Sequence, residues 1–165
     1  MASIPWEAGH NVKSLLEILG SEEVPSYDSG QLTVNGVTQA ELEAAAAEYQ
    51  GNLEAHYLAP MREKKKAHIQ KTAYEFISSR YSPQIQQMLH ALLTEAQLYG
   101  FPNRVAYLGP MLAWCKIVAQ SSIIKEQEID AAQSKEEITA VALNLVHLAS
   151  LDPAITVKAA ILIGD

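Results

Sequence analysis

Five histidines, one cysteine and a short basic run are the residues of this chain whose types can carry chemistry. His10, His56, His68, His90 and His147 never fall four apart, the spacing that sets two imidazoles on one helix face. No HExxH stretch occurs either, so the spacing supports no metal site. His68 and His90 read as solvated positions on helix flanks. Cys115 lies on an apolar stripe, where a small buried hydrophobe is favoured over a nucleophile. A lone cysteine excludes an intrachain disulfide and a multi-cysteine metal site. Arg62-Glu-Lys-Lys-Lys66 carries enough charge to meet phosphate or an anionic lipid. It has no interleaved aromatics, so a solvated face, or a complement to an acidic stretch such as residues 41–54 of a neighbouring copy, is favoured. Glu126, Glu128 and Asp130 read as a polar patch near a helix end. No glycine-rich phosphate loop, GxSxG elbow or CxxC pair is present. The expectation is a protein that is not an enzyme and takes no cofactor.

The 165 residues suit one compact domain, or one domain with an extension, and 48% hydrophobic content allows a real core. Only 7% is aromatic, so Ala, Leu, Ile and Val must fill most of that core. The net charge of −7 is uneven: residues 1–61 hold nine acids against Lys13, whereas residues 62–80 hold six bases against Glu63 and Glu75. An acidic total opposes nucleic-acid binding by bulk electrostatics. No apolar run reaches the length of a membrane span, and MASIPWEAGH lacks the basic and apolar regions of a signal peptide.

The elements that must position these residues are mostly helical. Ser82 and Pro83 open a helix whose apolar face is Ile85, Met88, Leu89, Leu92, Leu93 and Ala96. Gly100 and Pro102 stop it. Asn103 can cap the next helix, with a stripe of Leu108, Met111, Leu112, Cys115, Val118, Ala119 and Ser122. Pro110 falls inside that pattern and should kink the helix or delay its start. Arg62–Arg80 forms a third helix with Ile69, Ala73, Phe76 and Ile77 on one face. Ser134-Lys-Glu-Glu137 fits a capping box opening a helix to about Ala149. Asp152-Pro153 can cap a last helix over 154–163, which is favoured over an apolar strand. The fold class expected is mostly α: an antiparallel bundle of about five helices over residues 61–165, with a small N-terminal β-hairpin element.

Residues 1–60 read as an N-terminal extension. Residues 1–12 look irregular, Lys13–Leu19 is a short helix ended by Gly20, and residues 20–30 look like a loop. Asn35-Gly36, between Val34 and Val37, is a hairpin-turn signal. Thr38-Gln-Ala-Glu41 fits a capping box, and Leu42, Ala46, Tyr49, Leu53 and His56 follow a heptad-like spacing. A hairpin and one such helix bury little alone, so Trp6, Leu42, Tyr49 and Leu53 are expected at an interface. Self-association through this seam is favoured. Arg62, Lys64, Lys65 and Lys66 would meet the acidic flank of an adjacent subunit. Trp114 lies off the centre of the stripe through Met111, Cys115 and Val118. It is expected at the rim of the bundle, where truncation would weaken association more than folding.

The central stretch adds a resemblance. Ile77-Ser-Ser-Arg-Tyr-Ser-Pro83, the run Gln86 to Leu93 with Ala91-Leu-Leu-Thr94, Asn103-Arg-Val-Ala-Tyr107 and Pro110-Met-Leu-Ala-Trp114 resemble, in order, a pattern of tailed-bacteriophage tail, baseplate and tail-fibre proteins. The resemblance implies a structural role in the virion tail, after synthesis in the host cytoplasm. It implies no catalytic residue, and partners that are other tail or baseplate proteins. By analogy with fibre-like parts it implies a homo-oligomer, with a trimer favoured. A soluble helical adaptor or assembly chaperone, absent from the finished particle, is the alternative.

Overall fold

The computed structural model describes residues 1–7 and 9–163. The chain divides into two compact units, Met1–Glu63 and Lys64–Asp165. In chain order the elements are β1 (Ala2–Pro5), α1 (Val12–Leu19), β2 (Ser26–Asp28), β3 (Gln31–Val34), α2 (Gln39–Gly51), a π-helical turn (Glu54–Leu58), α3 (Ala59–Arg80), α4 (Pro83–Tyr99), α5 (Pro102–Ala131), α6 (Lys135–Ala140), α7 (Leu145–Ser150) and α8 (Val157–Leu162). The protein is mostly α with one small sheet. No helix among the described residues is long and apolar enough to cross a membrane.

In the first unit β3 is the central strand, antiparallel to β1 and β2. Its hairpin is not at Asn35-Gly36. The turn lies at Ser29-Gly30, between the paired residues Asp28 and Gln31, with φ of 50° and 80°. Two successive positive φ values make the turn twist with its strands. Asn35-Gly36 instead leads out of β3 toward α2. β1, in a stretch expected to be irregular, completes the sheet because Ala2 and Ile4 add to the face that Leu32 and Val34 already present. The alternation of side chains across a strand puts all four on one side. α1 is capped by Asn11 and stopped by Gly20 at φ 63°.

α2 starts with both bonds of its capping box in place. Glu41 Oε2 accepts from Thr38 N–H, and these Thr38 contacts hold the Glu41 carboxyl below its usual range. The buried face of α2 is Leu42, Ala45 and Tyr49. Ala2, Ile4, Trp6, Leu15, Leu32, Val34, Leu42, Ala45, Tyr49 and Tyr57 form one hydrophobic cluster. The first unit therefore has a core of its own, and the expectation that its apolar residues must dock elsewhere is corrected. The strand β1 and helix α1 supply the missing cover. Pro60 lies in the first turn of α3, directly after the π-helical turn.

In the second unit α4 runs from the Ser82 cap and Pro83 to Gly100, which takes φ 73° as the left-handed stop. α5 is one helix of 30 residues and runs through Pro110. It starts at Pro102, one residue before the expected cap Asn103, and has no side-chain cap. α3 lies antiparallel to it: Lys66 Nζ meets Asp130 Oδ1 at 2.9 Å and Gln70 Nε2 meets Glu126 Oε2 at 2.9 Å. The helix expected over residues 134–149 is broken. α6 ends at Ala140, and Asn144 caps a separate α7. The last helix is α8, capped by Thr156 rather than Asp152.

The core of this unit includes Ala73, Tyr81, Leu89, Leu93, Leu108, Met111, Trp114, Val118, Leu148, Ile155 and Ala160. Leu42→Ala and Trp114→Ala each empty a site in a different core. Each should destabilise its own unit, by about 2–5 kcal/mol for the leucine and about 3–5 kcal/mol for the tryptophan. Denaturant titration followed by amide-exchange mapping will check both. Loss of protection in residues 1–63 alone is expected for the first variant, and in residues 64–163 alone for the second.

Candidate functional site

The residues singled out for chemistry or contact do not converge. Trp6, Leu42 and Tyr49 are buried in the first unit, and Leu53 is half-buried against the same cluster. A self-associating seam along α2 therefore lacks its surface, because the side chains meant to form it already face β1, β3 and α1. The expected trimer contact through Leu42, Tyr49 and Leu53 falls with it. The Tyr49 ring lies 4.9 Å from that of Trp6 and stacks on His56 at 5.6 Å. Its hydroxyl accepts from Asn11 N–H at 3.0 Å. His10 is packed between these rings and Tyr57, and its Nε2 lies 3.3 Å from Glu7 Oε2. Among the described residues, Trp6 Nε1 and His10 Nδ1 are buried without a partner. No group of three or more metal-ligating side chains gathers there or elsewhere among the described residues.

Three of the four bases of the run have partners within the chain, and Arg62 pairs with Glu54. Lys65 Nζ donates to the Thr139 carbonyl at 2.9 Å and Lys66 pairs with Asp130. These two lysines bridge α3 to the far end of α5 and to α6. Lys64 is exposed.

Trp114 is not at a rim. It is 1% exposed, with its indole N–H donating to the Leu148 carbonyl at 2.8 Å. Phe76 and Tyr81 rings flank it at 5.6 and 5.5 Å. The position is off-centre on the α5 stripe, as its spacing says, but residues 148–160 fold over it and close the rim.

That clamp is the main polar feature of the second unit. Tyr81 Oη donates to Asp152 Oδ1 at 2.7 Å and accepts from Ile155 N–H at 3.1 Å. Asp152 Oδ1 also accepts from Ala154 N–H at 2.9 Å, and Arg80 Nε stands 3.7 Å from its other oxygen. Tyr107 Oη accepts from Thr156 N–H at 3.3 Å. Arg104 donates to the Ile163 carbonyl at 3.4 Å and lies over the Phe101 ring. Ala154 is held at φ 53°, unusual for a residue with a Cβ. Two hydrogen bonds to its own and the next N–H keep it there. Burial, then the bond to Asp152, push the Tyr81 hydroxyl up to about 12. Burial raises the nearby Cys115 thiol as well, which keeps it neutral and poorly nucleophilic.

Sequence reasoning missed this clamp because its partners lie more than 70 residues apart for Tyr81 and Asp152. The only local signal was Asp152-Pro153, read as a helix cap. It also missed an apolar strip on the outside of α5, where Ile117, Ile123 and Ile124 are 39%, 54% and 54% exposed. The signal there was a pair of isoleucines off the core stripe. A shallow depression of about 460 Å³ lies between α1 and α2, lined by residues that include Leu19, Val37, Ala45, Glu41 and Glu48. Its polar side chains are Ser21, Glu41 and Glu48, with no histidine, cysteine or cationic side chain beside them.

No protein-family model, curated protein or solved structure matches this chain. What the arrangement can do rests on its own geometry: polar groups of the central helices hold the chain's own C-terminal segment, and apolar groups of α5 face outward.

The Tyr81 clamp has a pH signature. Its folded value stands above the ordinary 10.0, so the bond's contribution is whole below pH 10 and is lost as pH rises toward about 12. Tyr81→Phe should lower stability at neutral pH by about 1–3 kcal/mol. It should also flatten the alkaline decline relative to the parent chain. Urea midpoints on either side of pH 10 will check it; equal alkaline declines in the two chains would contradict the assignment.

Proposed function

We propose that this chain is a structural component of a bacteriophage tail, baseplate or tail-fibre attachment region. It acts by protein–protein contact, without a reaction of its own and without a cofactor. One observation carries this reading. The residues that resemble the tail-protein pattern are the ones that build the clamp. Arg80 and Tyr81 hold Asp152, Tyr107 holds Thr156 and Trp114 holds Leu148. Their polar atoms are used to fix the backbone of the C-terminal segment, and so the pattern reads as one that maintains a scaffold. Pro83, Leu89 and Leu93 of the same pattern start and fill α4.

On this reading Lys64–Asp165 is a helical bundle standing on α3, α4 and α5 and closed by the short helices after them. The first unit is a second small module. Its partners are other tail or baseplate proteins and copies of the chain itself, and its place is the virion tail after synthesis in the host cytoplasm. Exposed apolar side chains in the second unit, Leu98 and Tyr99 on α4 and the isoleucines of α5, suit such contacts.

Quantitative mass spectrometry of purified particles tests the proposal. Stoichiometric presence of the chain is expected. Its presence in infected-cell extract but not in particles would overturn the virion role and leave the assembly-chaperone reading.

A further inference from the structure

The outer face of α5 has a pattern that its inner face does not explain. The core takes Leu108, Met111, Trp114, Val118, Ser122 and Ile129. On the opposite side Ala113, Ile117, Gln120, Ile124, Gln127 and Ala131 recur at alternating spacings of four and three, and all are exposed. Ile123 stands beside them, also exposed. This is a seam at the heptad period, set on a helix whose other face is already buried. Gln120, Ile123, Ile124 and Gln127 surround a shallow depression. Four residues at i, i+3, i+4 and i+7 are the frame that receives one side chain from a facing helix.

We propose that two copies of the chain pair antiparallel through this face of α5, about a two-fold axis at the level of residue 122, with Ile123 flanking it. Charge selects both the occupant and the direction. Over residues 113–124 the helix carries Lys116 and no acid, whereas residues 125–131 carry Glu126, Glu128 and Asp130 against Lys125. Parallel pairing would bring the two acidic ends together and set Ile123 beside Glu128 of the other copy. Antiparallel pairing sets Ala113 against Ala131, Ile117 against Gln127 and Gln120 against Ile124. It brings Ile123 beside its own symmetry mate and Lys116 near Asp130 of the other copy. The Asp130 carboxylate already accepts from Lys66, yet its side chain remains 58% exposed. Antiparallel helix dipoles reinforce the choice. A two-fold contact of this kind is self-complementary and closes at two copies.

This inference rests on the reading of the chain as one that works through protein contacts, and names the surface used between copies. Its test is separate from the particle test, because a monomeric chain can still be a stoichiometric virion component. Sedimentation of the full-length protein at tens of micromolar should give a dimer. Ile124→Glu should give a monomer with the helical circular-dichroism spectrum retained. With Cys115→Ala as background, Ile123→Cys should form a covalent dimer on mild oxidation, and Ile117→Cys should not, since its antiparallel neighbour is Gln127. The cysteine comparison decides the matter should the glutamate variant fail to fold. A monomeric parent chain at these concentrations, or Ile117→Cys cross-linking as readily as Ile123→Cys, would overturn the proposal.

Discussion

A buried indole has one hydrogen to donate and pays heavily if nothing accepts it. Trp114 lies in the middle of α5, flanked by the rings of Phe76 and Tyr81. The acceptor is the Leu148 carbonyl at 2.8 Å, on a segment that begins 34 residues later. That one bond requires the chain after α6 to return over α5. Once it has returned, Tyr81 and Tyr107 accept from the backbone N–H groups of Ile155 and Thr156, and Arg80 stands beside the Asp152 carboxylate. Leu148 lies in the six-residue helix α7, and its carbonyl accepts from both the Trp114 indole N–H and the Leu151 N–H.

The first unit solves a different problem. It is small, and a small unit buries too little surface to be stable unless its few large side chains are shared efficiently. Trp6, His10 and Tyr49 are placed so that each touches more than one other ring, with Tyr57 against His10 and His56 against Tyr49 completing the group. Offset and tilted ring contacts add to what area alone supplies. Strand β1 matters as much as the rings. It covers β3 on the side away from β2, and it starts the turn that carries Trp6 over the sheet, where Trp6 N–H donates to the Gly30 carbonyl at 2.9 Å.

Charge in the second unit has a structural use. Lys65 and Lys66 lie on α3 opposite the C-terminal end of α5 and the end of α6, where carboxylates and helix carbonyls gather. Cations near helix C-termini are favourable on both counts. These pairs are partly exposed, so each adds little stability, but together they fix which part of α3 faces which part of α5. The basic run is in this sense a register device, and the apolar strip of α5 lies on the side that the register leaves open.

Local chemistry was legible in the sequence. The caps at Thr38, Ser82 and Ser134 act on backbone groups within three residues, and so their residue types and spacing were enough to mark those three helix starts. Gly20 and Gly100 stop helices for an equally local reason. Where two local signals competed, tertiary structure decided. Asn35-Gly36 and Ser29-Gly30 can both turn a chain, and the pairing of β1 with β3 selects the latter, because it puts Leu32 and Val34 on the face that Ala2 and Ile4 extend. Periodicity placed Leu42 and Tyr49 on one side of α2 but could not say what lay against that side. The same holds for Trp114, whose angular position was read correctly and whose cover was not. Helical period reports which residues share a face. It carries no information about a segment 30 or 70 residues away that comes to lie on that face, and in this protein those distant segments decide what is core and what is surface.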